Sequence, residues 1–351
     1  MSLLLALAAC SATARLPPYG GVQNVTQGAV PAPDLVFTLR DGARLPARAW
    51  LPPAGRPLRA VILALHGFND SRDAWEEPAA VWAAQGIATF APDQRGFGAT
   101  ADRGRWPGAT TLVDDAADVA GQLALRYPGT ALYVVGESMG GAVALCLAAR
   151  PGPSPVTGTV LAAPAVWDRA QLGVGLRGGL WLASRVAPSW RLSGRSVPVR
   201  VVASDNRAAL LRLARDPLTL RDTTVGTLRG LVDLMDAAQA AAPRAPARML
   251  VLEGAHDQIV PPAAAASFWA RLPAGVRRAV YPGGYHLLFR DRDRALPTGD
   301  VLAWIEQPGA WLPSGADIAA GAWWAGRSWE GEPAALLPAQ LDRLAGDGMT
   351  R

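Results

Sequence analysis

The segment Gly136-Glu137-Ser138-Met139-Gly140-Gly141 lies between an apolar, strand-like run at residues 131–135 and a helix-like stretch at 139–150. A G-x-S-x-G sequence in that setting forms a sharp strand-to-helix turn, with the serine hydroxyl projecting at the carboxyl edge of a sheet. Small flanking residues keep the neighbouring chain from clashing. The positive end of the helix that starts there faces the serine and favours developing negative charge. Such a turn requires strands and helices that alternate around it.

The chain supplies that alternation. Two strand-like runs, 35–40 and 43–50, flank Asp41-Gly42, a hairpin signal. Residues 60–65 are continuously apolar and end in His66-Gly67, as a central parallel strand would. A helix is predicted over 74–85, a strand over 87–90 and a helix over 111–126. Leu112, Ala116, Val119 and Leu123 share one face of that helix, with Asp114, Asp115 and Asp118 expected near its positive end. A strand follows at 159–162. The rhythm then breaks: residues 166–245 carry Trp167, Trp181, Trp190 and many Arg, and form an insertion with several helical stretches. It resumes with a strand at 249–252, a helix over about 262–272, a strand at 278–281 and a closing helix at 300–306. Strands alternating with helices predict an α/β fold with a mostly parallel sheet covered on both faces. Residues 33–165 and 246–306 form its two parts. The extension 307–351 holds Trp311, Trp323, Trp324 and Trp329, which are expected to pack onto the domain because Trp buries large area.

Residues 1–9 contain a short apolar run, too short to cross a bilayer. With Leu7-Ala8-Ala9-Cys10 they resemble a bacterial lipoprotein signal, in which Cys10 would be lipidated and residues 10–32 would form a tether. No Lys or Arg precedes the run. A lipidated Cys10 implies attachment to the cell envelope, at the outer membrane or periplasmic face. Without a signal the protein would be cytoplasmic. Cys146 falls in an apolar helix and reads as a small hydrophobe. The net charge is +5, with every basic residue an Arg. The Arg residues are scattered and form no basic stripe interleaved with aromatics, which argues against nucleic acid. Two cysteines and three separated histidines make no metal-ligand cluster, and no cofactor is implied. The oligomeric state is left open.

A serine hydroxyl needs a base, and the chain offers only His66, His256 and His286. The order nucleophile, acid, base that goes with this turn selects His286, after the last strand. His66 precedes Ser138 and is expected to tie its own loop by a hydrogen bond. The acid should follow the penultimate strand, which selects Asp257 over Asp205, a residue of the insertion. His256 adjoins that acid as a loop residue. The backbone N–H groups of Phe68 and Met139 are the expected oxyanion donors.

Together His66-Gly67-Phe68, Asp93-Gln94-Arg95-Gly96-Phe97-Gly98, the Ser138 hexapeptide, Asp257 and His286 resemble the monoacylglycerol lipase and lysophospholipase branch of the α/β-hydrolases, over about residues 33–306. The resemblance implies an eight-stranded sheet, a helical cap at 166–245 after strand 6, a structural role for the Asp93–Gly98 loop, and hydrolysis of lipid monoesters. The triad alone also fits a thioesterase, peptidase or acyltransferase, and a lipoprotein that only binds lipid is a further alternative. After His66-Gly67 the chain reads Phe-Asn-Asp-Ser-Arg-Asp instead of the more typical Gly/Glu/His-rich loop. The insertion is rich in Trp and Arg, so the substrate can differ from monoacylglycerol.

Overall fold

The computed structural model describes residues 32–193 and 201–326. Cys10, the apolar run before it, most of the proposed tether and Trp329 lie outside the described residues.

The chain opens with an antiparallel hairpin, β1 (Leu35–Thr38) and β2 (Arg44–Trp50). Its turn is held by the Asp41 carboxylate, which accepts the Ala43 N–H at 3.0 Å. Next come β3 (Ala60–Leu65), a 3-10 turn at Arg72–Trp75, α1 (Glu76–Ala84), β4 (Ile87–Pro92), α2 (Ala109–Arg126), β5 (Ala131–Glu137), α3 (Met139–Ala148) and β6 (Val156–Ala162). The insertion holds α4 (Val174–Val186), α5 (Arg207–Arg215) and α6 (Val225–Ala241). It also holds a small antiparallel pair, β7 (Arg191–Ser193) with β8 (Asp222–Thr224). The core resumes with β9 (Met249–Gly254), α7 (Pro262–Arg271), β10 (Arg277–Tyr281) and α8 (Ala295–Glu306), and α9 (Ala316–Gly326) ends the described chain.

Eight strands form one sheet in the order β1-β2-β4-β3-β5-β6-β9-β10. Only the pairs made by β2 are antiparallel. Every residue of β3 is buried, and its side chains alternate between the two faces. Val61, Leu63 and Leu65 join the apolar core beneath α2, α3 and α6. Ala60, Ile62 and Ala64 join a second core with Trp75, Trp82, Val301 and Trp304 on the opposite face. The fold is therefore an α/β-hydrolase fold, and the insertion follows β6.

Two expectations change. Helix α2 starts at Ala109, so no acid lies in its first turn. Asp115 instead pairs with Arg95 at 2.7 Å, Asp114 pairs with Arg150, and Asp118 accepts the Arg40 N–H at 2.7 Å. These carboxylates answer to arginines elsewhere in the chain and not to the helix dipole. The described residues of the extension, 307–326, pack only in part. Helix α9 lies against the edge strand β10, where Trp323 is buried with its ring 4.8 Å from that of Trp269. Trp311 and Trp324 are exposed. Among the described residues no helix is long and apolar enough to cross a membrane.

At the sheet's carboxyl edge, α3 approaches β3 too closely for a side chain. A Cβ on Gly140 would lie 2.1 Å from the Leu65 carbonyl oxygen. Gly140→Ala should therefore destabilise the fold by about 1–3 kcal/mol. A urea midpoint equal to that of the parent would show that the helix shifts without cost.

Candidate active site

Ser138 sits between the last residue of β5 and the first of α3, with φ 54° and ψ −115°. That left-handed backbone is rare for a residue with a side chain and is held from several sides. The Ser138 N–H donates to the Ala162 carbonyl at 2.9 Å, and its own carbonyl accepts the Ala165 N–H at 2.9 Å. A Cβ on Gly136 would lie 2.2 Å from the Gly140 carbonyl, so the turn also needs its glycines.

His286 follows β10 and is fully buried. Its Nδ1 lies 2.8 Å from Asp257 Oδ2. The other oxygen, Oδ1, accepts the backbone N–H groups of Ile259 at 2.7 Å and Val260 at 3.0 Å. Asp257 is thus fixed by its own loop, and a carboxylate accepting from Nδ1–H leaves the lone pair of the imidazole on Nε2. Burial pulls the His286 imidazolium down. The Asp257 carboxylate, its hydrogen bond and the charge of Glu137 outweigh burial and the opposing Arg290, so the pKa lies above the usual imidazole value. The buried Nε2 has no hydrogen-bond partner among the described residues. Ser138 and His286 line one cleft, with Gly67, Phe68, Asp70 and Arg290 from the core and Ala203, Leu213 and Thr219 from the insertion. Its volume is about 20 Å³, room for a water molecule and too little for an acyl chain. Residues of the insertion thus stand over the serine and narrow the cleft.

The amides of Phe68 and Met139 make no hydrogen bond among the described residues. Met139 is the first residue of α3, and Phe68 lines the cleft. A Cβ on Gly67 would lie only 3.4 Å from that of Ser138, so the Phe68 loop runs close to the serine.

The other candidates lie elsewhere in the network. His66 Nδ1 sits 2.8 Å from the Gly67 carbonyl, and its Nε2 accepts the Gln94 N–H at 2.9 Å. Burial keeps its pKa low, so it is a neutral tie between two loops. The Asp205 carboxylate accepts the Arg292 N–H at 2.8 Å, and Asp257 is the carboxylate that meets His286. The His256 ring stacks on Tyr285 at 5.4 Å. Burial pushes the Cys146 thiol up to about 11, consistent with its place in an apolar helix. In the Asp93–Gly98 loop, Asp93 pairs with the buried Arg72 and accepts the Ala99 N–H at 2.8 Å. A Cβ on Gly98 would lie 2.1 Å from the Asp93 carboxyl carbon. That loop is structural. Among the described residues no cluster of His, Cys, Asp and Glu could hold a metal.

Sequence reading missed one cluster. Arg290 Nη2 lies 2.6 Å from both Asp70 Oδ2 and Glu137 Oε2, and all three side chains are buried. The only signal for it was charge in otherwise apolar surroundings: Glu137 inside the elbow and Arg290 four residues after His286.

Known proteins share this architecture. A monoacylglycerol lipase of Mycolicibacterium smegmatis is 26% identical over 266 residues, which span 75% of this chain and 93% of that protein. The human monoglyceride lipase is 26% identical over 80% of this chain and 93% of its own. The crystal structure of a soluble variant of the Saccharomyces cerevisiae monoglyceride lipase, in complex with a substrate analog, matches with a TM-score of 0.67. It is 18% identical and the match covers 82% of this chain and 99% of that one. The Paleococcus ferrophilus monoacylglycerol lipase matches with a TM-score of 0.62 at 21% identity, over 74% and 98%. The sequence profile described as "Serine aminopeptidase, S33" matches residues 56–293, and the chain belongs to that α/β-hydrolase family.

Proposed function

We propose that this chain hydrolyses lipid monoesters, such as a monoacylglycerol or a lysophospholipid, through an acyl-enzyme on Ser138. It is a carboxylic ester hydrolase, as its family and its monoacylglycerol lipase relatives support. One observation carries the mechanism: His286 is bonded to Asp257 at 2.8 Å in the cleft it shares with Ser138.

In this reading His286 Nε2 takes the Ser138 proton as Oγ attacks the ester carbonyl. Asp257 holds the tautomer and stabilises the imidazolium that forms. The Phe68 and Met139 amides receive the oxyanion, and losing one such donor costs about 10²–10³ in rate. His286 then protonates the leaving alcohol, and water activated by the same ring releases the acid. Substrate reaches the serine only when the residues of the insertion over the cleft move aside. The Ser138–His286 hydrogen bond forms on binding, since such bonds are often long before substrate arrives. Lipidation of Cys10, and the membrane attachment it would give, belongs to this reading on the sequence alone.

Purified protein offered a monoacylglycerol, a lysophospholipid, a short ester, an acyl-thioester and a peptide should turn over the lipid monoesters fastest. Ser138→Ala should abolish both turnover and labelling by a fluorophosphonate, and Asp257→Asn should lower kcat by about 10⁴. Labelling that persists in Ser138→Ala would remove Ser138 from the mechanism. Faster turnover of the peptide or thioester would move the substrate class.

The pH profile gives an independent check. The base must be neutral to accept the proton, and its pKa is raised. The acid limb of kcat/KM should therefore reach half its plateau above about pH 6.5, the ordinary imidazole value. A midpoint below that value would contradict the His286–Asp257 pairing.

A further inference from the structure

Three separate loops must hold their places for this chemistry: the one after β3 with Phe68, the elbow with Ser138 and the one after β10 with His286. All three send a charged side chain to a single point. Asp70 comes from the first, two residues after Phe68. Glu137 precedes Ser138, and Arg290 comes from the third, four residues after His286. One nitrogen, Arg290 Nη2, lies 2.6 Å from a carboxylate of each of the other two.

The backbone of each partner is itself fixed. Glu137 is the last residue of β5, in register with Ala162 of β6. The second oxygen of Asp70 accepts the Ser71 N–H at 2.9 Å. The Arg290 carbonyl accepts the Asn206 side-chain amide at 2.9 Å, and the Leu287 N–H donates to the Ala203 carbonyl at 2.9 Å. The guanidinium is thus the point where elbow, oxyanion loop and base loop are held in common, with the insertion fastened to its back.

An ion cluster used only as core filling is a poor device. Desolvating its charges costs about as much as their attraction returns, and apolar replacements are often as stable. This cluster also lies in the wall of the reaction cleft, where Asp70 and Arg290 line the same space as Ser138 and His286. Geometry is what such a cluster provides there: a misplacement of about 1 Å can cost about 10² in rate.

We propose that Arg290 is a positioning residue, whose guanidinium, by bridging Asp70 and Glu137, sets the oxyanion loop and the base loop against the Ser138 elbow. The proposal rests on the serine-hydrolase reading above. It also assigns Glu137 and Arg290 different electrical effects. The charged groups that act on His286 are Asp257, Glu137 and Arg290, the first two raising its pKa and Arg290 lowering it.

The test compares Arg290→Lys, Arg290→Met, Asp70→Asn and Glu137→Gln, each with its urea midpoint, kcat, KM and pH profile. Asp70→Asn should lower kcat by about 10–10² with little change in KM. Glu137→Gln should move the acid limb to lower pH, because it removes a negative charge from the vicinity of His286. Arg290→Met should lose more activity than Arg290→Lys, which keeps the charge without the planar fork. If Arg290→Met does not fold, Asp70→Asn and Glu137→Gln decide the matter alone. Parental kcat in Asp70→Asn together with an unmoved acid limb in Glu137→Gln would overturn the proposal. Parent protein that takes no fluorophosphonate label would instead overturn the serine-hydrolase reading on which it stands.

Discussion

The contact between the start of α3 and the end of β3 is the constraint on which the rest of the site depends. Gly140 has no side chain because the Leu65 carbonyl occupies that space, and Gly136 has none because the Gly140 carbonyl occupies its own. With the helix drawn that close, the chain between Gly136 and Gly140 has room for only one sharp turn, and Ser138 takes a positive φ. The strain, of order 1–3 kcal/mol, persists because the backbone around it is over-determined. The same approach brings the loop after β3 beside the serine. It puts the first amide of α3 and the Phe68 amide at the sheet edge where an oxyanion would form. In the proposed mechanism, nucleophile and oxyanion donors thus follow from one packing contact.

Charge adds a second constraint at this edge. Loops leaving the carboxyl ends of the parallel strands already bury Phe68, Phe97, Leu288 and Phe289. They are also joined by carboxylate–arginine pairs, buried at Arg72 and Arg290 and partly exposed at Arg95. Asp93 grips Arg72 and the backbone at Ala99, and Arg95 spans Asp115 and Asp41. Arg290 spans Asp70 and Glu137. A buried charge that loses its partner is strongly unfavourable, so each pair admits few alternative placements of its loop. That property suits a site whose parts come from distant points in the chain. It also explains why the loop after His66-Gly67 departs from a Gly-rich pattern: Asp70 and Arg72 are both committed to such pairs.

The fold was legible from the sequence because it is written in local signals. The continuous apolar run of residues 60–65, the Asp41-Gly42 turn and the elbow glycines each dictate structure within a few residues. The pairing of His286 with Asp257 was legible for another reason. Only three histidines exist, and chain order left one base and one favoured acid. The Arg290 cluster was not legible, because its members are separated by 67 and 153 residues and carry no spacing pattern. Asp114, Asp115 and Asp118 misled for the same reason: a nearby helix start suggested a local role, and tertiary arginines supplied a different one. Trp324 shows the limit of composition, since the size of a side chain does not fix which face of a helix meets the core.

The insertion that closes the cleft is not energetically uniform. Helix α6 presents Leu228, Leu231, Val232, Leu234 and Met235 to the same core as α3, and a Cβ on Gly230 would strike the Trp106 ring at 2.2 Å. Lifting it would open the core beneath the nucleophile helix. Helix α4 buries only Leu180 and leaves Val174, Trp181, Leu182 and Val186 exposed. The segments over the serine are tied to the core by an apolar cluster of Ala203 with Ile259 and Leu287 and by several polar contacts. Leu220 N–H donates to the Asn69 carbonyl at 2.8 Å, Ser71 reaches Asp216 at 3.2 Å, and Arg103 reaches the Pro217 carbonyl at 2.8 Å. Few buried apolar contacts, as in α4, mark the low-stability end of a structure. Helix α4 is therefore the part of the insertion that leaves the core at least cost, while α6 stays packed on α3.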